Sequence, residues 1–355
     1  MAQFDEEDGY IADEWYEFAL DDGKKKRPKI EIGSTSSGND ASGEDVEENY
    51  IPLAHQSSCS SSQDISGFYC QRIGTGPMFL SLNHSADDVP TPTLGYLPDR
   101  VNIVASSHGL LVCRAHTDNS YYICNPATMD WKYLPKPEYY HGTDSAHALV
   151  FEPRGQNTKE HYQVVSAVPL IGQSMVCFEI YSSEKRSWRC SDTICADLGC
   201  FSFGPVGFYM KGVAYWMTSE MQVLAFDLKN EVYGIIPLPS ESTPPDGILT
   251  QINDELCYVG ISKTSEEKYT IVMCSGYDLG LRQTIDLQLG LVPAGVEEYL
   301  LLPFVEGNKL MILVGSDVYS YGLSDGEINV ISNEGVEWPI YATYMPYSHS
   351  LVREV

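Results

Sequence analysis

His147, Glu152 and His161 fall within a fifteen-residue stretch and carry the donor atoms a metal ion would need. Their spacing matches no common metal site, and Glu152-Pro153 stands where a turn between strands is expected, so the trio reads as structural. Cys190, Cys195 and Cys200 recur at intervals of five, which suits neither a zinc knuckle nor a redox pair; they read as core or loop thiols. His108 precedes Gly109 in an expected turn with no acidic neighbour, and turn geometry accounts for it. No Gly-x-Ser-x-Gly elbow, P-loop or dinucleotide fingerprint is present. Asn83-His84-Ser85 is a formal glycosylation sequon, idle without secretion. These residues predict no catalytic, metal or cofactor site, and no enzyme.

Residues suited to binding are easier to find. Pro137-Glu138-Tyr139-Tyr140-His141-Gly142 sets two adjacent tyrosines and a histidine in an expected loop. Tyrosine is a residue type that anchors protein interfaces, so Tyr139, Tyr140 and His141 are the candidate partner contacts, with packing of one ring on the domain edge as the alternative. Trp131, Trp188 and Trp216 recur at similar places in a repeating pattern, which favours packing between repeats over ligand stacking. Lys24, Lys25, Lys26, Arg27 and Lys29 form a compact cationic run in an otherwise acidic stretch, a pattern that fits a nuclear-import signal.

The elements that would hold these residues follow from composition. The chain has 355 residues and a formal net charge of −27. So acidic a surface repels phosphate backbones and anionic lipid, which disfavours nucleic acid and membrane as partners. Residues 1–60 are rich in Asp and Glu, with a Ser/Gly/Asn stretch at Gly33–Gly43, and are expected to form a disordered acidic tail. Within it Tyr10–Leu20 mixes aromatics with carboxylates and reads as a solvated, slightly sticky stretch, a composition that would also suit folding on a partner. The start carries no apolar signal-peptide core, and the ten cysteines include no C-x-x-C pair. The thiols are therefore expected to be reduced and buried, in a soluble chain of the nucleus or cytoplasm.

From 61 to 355 short aromatic and apolar runs alternate with Gly, Pro, Asn and Asp. One unit recurs: an aromatic strand, a polar turn, then a strand opening on a large aromatic. Tyr121–Asn125 with Trp131–Leu134 is one copy, and Phe178–Ser182 with Trp188–Cys190 another. Val223–Asp227 with Tyr233–Ile236 and Val318–Tyr321 with Ile328 complete the set. A turn followed by an apolar run precedes most copies, as at His108-Gly109-Leu110-Leu111 and Lys211-Gly212-Val213-Ala214. Each pair of pieces makes a small antiparallel sheet. Sheets repeating every 40–50 residues or so predict an all-β, kelch-like propeller of about six blades.

These segments resemble plant F-box proteins of the F-box-associated, kelch-related type. The likeness rests on Ser106–Cys113, Tyr122–Thr128 with Trp131, Phe178–Ser183 with Ser187-Trp188, Gly212–Trp216, Tyr319–Tyr321 and Pro346–Val352. Ile65–Cys70 resembles the first strand of that region. In that family an N-terminal F-box docks on a Skp-type adaptor, and the β region recruits the protein to be ubiquitinated. Residues 1–63 show no Leu-Pro start, no leucine-rich helix and no Cys-Lys-x-Trp ending. The resemblance therefore implies a protein-protein interaction module like the substrate-recognition part of an SCF-type ligase, with the Skp-type adaptor a doubtful partner. Two alternatives differ in kind: a nuclear scaffold acting through its acidic tail, and a propeller enzyme with a central-channel site. No cofactor is expected.

Overall fold

The computed structural model describes residues 65–72, 75–82, 93–151, 161–170, 175–198, 202–204, 206–239, 244, 246–265, 268–288, 299–306, 308–333, 339 and 342–350. The acidic segment 1–60, with its basic cluster Lys24–Lys29, lies outside these residues, as do Asn83–Ser85, Glu152 and Cys200.

The described residues form six antiparallel sheets arranged as a six-bladed β-propeller. The first two strands are β1 (Gly67–Gln71) and β2 (Met78–Ser81). Blade I follows as β3 (Val101–Ser107), β4 (Leu110–Ala115), β5 (Tyr121–Asn125) and β6 (Asp130–Tyr133). Blade II is β7 (Ala146–Phe151), β8 (Tyr162–Pro169), β9 (Val176–Ser182) and β10 (Ser187–Cys195). Blade III is β11 (Phe208–Met210), β12 (Val213–Met217), β13 (Gln222–Asp227) and β14 (Val232–Pro237). Blade IV is β15 (Ile248–Ile252), β16 (Glu255–Ser265), β17 (Lys268–Ser275) and β18 (Gly280–Gln288). Blade V is β19 (Tyr299–Glu306), β20 (Lys309–Val314), β21 (Asp317–Gly322) and β22 (Ile328–Asn333), and β23 (Thr343–Tyr347) ends the series.

Closure comes from the two extremes of the domain. β1 pairs antiparallel with β23, Phe68 opposite Pro346, and with β2 on its other side. Blade VI thus takes one strand from late in the chain and two from early in it. The leading strands β3, β7, β11, β15, β19 and β23 touch one another in that cyclic order, which makes them the inner ring.

Turn chemistry sets each blade. Between first and second strands, His108 and Gly109 have φ of 46° and 84°, Lys211 and Gly212 50° and 88°, and Asn253 and Asp254 50° and 63°. Two consecutive residues with positive φ make the tight hairpin turn whose twist matches its flanking strands. At Gly109 a side chain is excluded outright, because a Cβ there would lie 2.4 Å from that of Ser350. Between third and fourth strands the turn ends each time on a residue of positive φ: Met129, Arg186, Glu231 and Leu279. Asn125 and Asp227 open two of these turns by accepting the amides of Ala127 and Lys229 at 3.0 and 2.8 Å.

The core lies between blades, so inner and middle strands are covered on both faces. Along β9, Val176, Phe178 and Ile180 pack towards blade III, whereas Tyr181 packs towards blade I. Phe178 stacks on Phe226 with ring centroids 4.1 Å apart and 17° between planes. Every described cysteine is a free thiol, and all but Cys190 are buried.

The three tryptophans are not equivalent. Trp188 on β10 is buried against Tyr121 and Tyr181, and Trp216 on β12, a second rather than a fourth strand, is fully buried beside Phe178. Trp131 departs from the expectation of packing between blades. It lies on the outer strand β6, 43% exposed, with only its edge against Tyr122. Sequence recurrence gives the facing of these rings, but neither the strand that carries each one nor what covers the sheet beyond its last strand.

Candidate interaction surface

Strand order gives the propeller two unlike ends. The turns inside blades from first to second and from third to fourth strand share one end, here the turn end. The loops from second to third strand and the connections from blade to blade share the other, the loop end. The segment from Leu134 to Ser145, joining β6 to β7, crosses from blade I to blade II at the loop end.

This segment is fastened from beneath. Leu134 donates its amide to the Tyr121 carbonyl at 2.9 Å, and the Trp188 indole donates to the Pro135 carbonyl at 2.7 Å. Glu179 of β9, fully buried, accepts from the amides of Glu138 at 2.8 Å and Tyr139 at 3.2 Å. The same carboxylate accepts from the His141 ring at 2.7 Å. From blade I, Arg114 donates to the carbonyls of His141 and Gly142 at 2.6 and 2.9 Å, and to Asn119 at 3.1 Å. A buried charge is tolerated only when paired and hydrogen-bonded, and Glu179 meets that condition with three donors.

Behind Glu179 a polar chain runs between the blades. His141 Nδ1 lies 2.9 Å from Tyr121 Oη, which lies 3.2 Å from His147 Nε2; His147 Nδ1 lies 2.8 Å from Ser166 Oγ. An ionised Glu179 can only accept, so the His141 Nε2–H is the donor of their bond. Burial, with His141 and Arg114 nearby, holds the His147 pKa well below the usual imidazole range. Burial raises that of the Tyr121 hydroxyl.

The fastened loop carries two exposed rings. Tyr139 and Tyr140 are each 42% exposed, on a backbone whose polar groups are held by Glu179 and Arg114. His141, expected beside them as a contact residue, is instead buried and faces inwards, because its ring supplies the third donor to Glu179. Tyr133 extends the exposed aromatics onto blade I, with its hydroxyl 2.7 Å from Ser120 Oγ.

The other residues with chemical potential are dispersed. His147 belongs to the polar chain, and His161 is exposed just before β8. Cys190 and Cys195 lie along β10 on either side of a register shift. His108 is a turn residue whose ring meets Phe151 edge-on. Among the described residues no group of three His, Cys, Asp or Glu is placed to hold a metal ion. Glu179 and Arg114 were not anticipated from sequence. The available signal was a glutamate inside Val176–Ser182, a strand covered on both faces, where an acid must be paired.

Fold and surface together define a propeller that offers a fixed, aromatic-bearing loop at one end. Residues 81–275 match the family described as the F-box associated beta propeller domain, and the chain belongs to that family. The F-box protein At5g49610 of Arabidopsis thaliana is 30% identical over 168 residues, 42% of this chain and 45% of the relative. The F-box protein At5g03970 of the same plant is 28% identical over 177 residues, 48% of this chain and 40% of the relative. The chain thus spans about half the length of the curated relatives it matches. The solved structure of YjhT aligns with a TM-score of 0.40 and 11% identity, covering 66% of this chain and 85% of that one.

Proposed function

We propose that this chain is a protein-binding module that performs no chemistry of its own and that Tyr139 and Tyr140 anchor its partner. The observation that carries this reading is the combination of two exposed tyrosine rings with a loop backbone fixed from below by Glu179 and Arg114. A loop ordered before the encounter loses little freedom on binding, and tyrosine brings broad contact area with few rotatable bonds. Family membership and the likeness to Arabidopsis F-box proteins support a role like the substrate-recognition part of an SCF-type ubiquitin ligase.

The test is affinity capture from plant tissue with the full chain and with Tyr139→Ser/Tyr140→Ser. Proteins held by the parent chain are expected to be lost from the variant, while both keep the same melting temperature. Retention of the same proteins by the variant would sink the reading. A Skp-type adaptor in the same capture supports ligase assembly, and its clean absence removes that part alone. The Lys24–Lys29 cluster supports entry into the nucleus, and its replacement by alanine is expected to leave a fluorescently tagged chain in the cytoplasm.

A further inference from the structure

We infer that the loop end of blades I and II docks a cationic, arginine- or lysine-rich segment of the partner, an inference that rests on the protein-binding reading above. Charge at the two ends of these blades is unequal. At the loop end, Asp118, Glu138, Asp144 and Asp197 are exposed, Asp99 is half-buried, and Arg100 and Lys136 are the cations of the described connections. At the turn end of the same blades, among the described residues, Asp130 and Glu184 are balanced by Lys185 and Arg186. The asymmetry is therefore a property of this end and not merely of the chain's overall acidity.

Aromatic faces and carboxylates meet there. Tyr139 and Tyr140 lie on the segment that carries Glu138 and Asp144, and Tyr133 is hydrogen-bonded to Ser120, whose amide donates to Asp118 at 3.0 Å. The Ser120 hydrogen bonds lower the Asp118 pKa, and Lys136 adds to the effect, so Asp118 keeps its negative charge. Tyr122, beneath Tyr133, donates its hydroxyl to Asp99 at 2.9 Å. A guanidinium or ammonium can lie over a tyrosine face while pairing with an adjacent carboxylate, and the two attractions favour the same cation. An anionic or purely apolar segment would leave those carboxylates unpaired on docking.

The probe is a fluorescein-labelled nona-arginine peptide, with a glycine-serine peptide of equal length as control, titrated against the full chain at 150 mM salt. Two charge variants are compared. Asp118→Asn/Glu138→Gln/Asp144→Asn removes three charges at the loop end, and Glu184→Gln/Asp278→Asn/Asp325→Asn removes three at the turn end. Since a lost cation–π and carboxylate contact weakens binding by about tenfold, the loop-end variant and Tyr139→Ser/Tyr140→Ser are each expected to bind about tenfold more weakly. The turn-end variant is expected to stay within about twofold of the parent. Equal weakening by both charge variants, or no effect of the tyrosine pair, would overturn the inference and show attraction to net charge alone. If captured plant proteins still depend on Tyr139 and Tyr140 in that event, the binding loop stands and only the partner's chemistry is wrong.

Discussion

Blade II meets its two neighbours in different ways. Against blade III it presents Phe178, which stacks on Phe226 beside Trp216 in an apolar centre, while Arg189, Thr193 and Asp197 bond to Glu231 and Tyr233 along the outer strands. Against blade I the same strand presents Glu179, and the interface holds Tyr121, His141, His147 and Ser166 in one hydrogen-bonded chain. The apolar interface would serve stability as well on either side, since a buried ion pair seldom outperforms well-packed hydrophobes. What the polar interface adds is a grip on backbone: Glu179 holds the amides of Glu138 and Tyr139, and Arg114 holds two carbonyls further on. One interface fastens blades together, whereas the other also fastens a loop to the blades.

Breaking the apolar side should give the largest loss. Trp216→Ala removes a fully buried indole and is expected to cost about 4 kcal/mol in denaturant unfolding, while leaving hydrogen exchange at Glu138 and Tyr139 unchanged under native conditions. Breaking the polar side at Glu179→Ala strands the amides and the imidazole it served, at about 3 kcal/mol, with the loop freed as well. A loss confined to stability, with the loop still ordered, would erase the distinction between the two interfaces.

Acid should single out the polar side. His147 has its folded-state pKa held below the ordinary 6.5, so as pH falls through about 6.5 the unfolded chain takes up a proton that the folded one refuses. Stability contributed by the neutral imidazole is complete above that pH and declines below it, by up to about 1.4 kcal/mol per pH unit until the folded-state pKa is reached. Urea midpoints for the parent chain and His147→Gln are expected to converge between pH 7 and about 5.5. Parallel curves would count against a buried neutral imidazole.

The outer strands sharpen the comparison further. Trp188→Ala is expected to cost about 3 kcal/mol, since the loop roofs its ring, and Trp131→Ala about 1 kcal/mol or less, since its ring is 43% exposed. Smallest of all, Tyr139→Ser/Tyr140→Ser should shift stability by no more than about 0.5 kcal/mol, which makes it the clean probe of binding.

Much of this architecture was legible in the sequence. Hairpins announced by Asn125-Pro126 and Asp227–Asn230, and turns such as His108-Gly109, are local, and local chemistry determines them. Ring closure was not legible, because pairing of Gly67–Gln71 with Thr343–Tyr347 joins segments with no sequence relation to each other. The tyrosine loop could be picked out by composition, but His141 could not be separated from Tyr139 and Tyr140. Its burial depends on Glu179, thirty-eight residues away, and period-two alternation reads that residue as an ordinary outward-facing acid.

The most direct test compares amide hydrogen exchange at Glu138 and Tyr139 in the parent chain and in Glu179→Ala. The interface account predicts slow exchange in the parent and exchange close to that of an unprotected loop in the variant, with the amides of Val223–Asp227 unaffected. Equally fast exchange in both proteins would mean that Glu179 holds no loop and that the tyrosines are not presented on a fixed backbone.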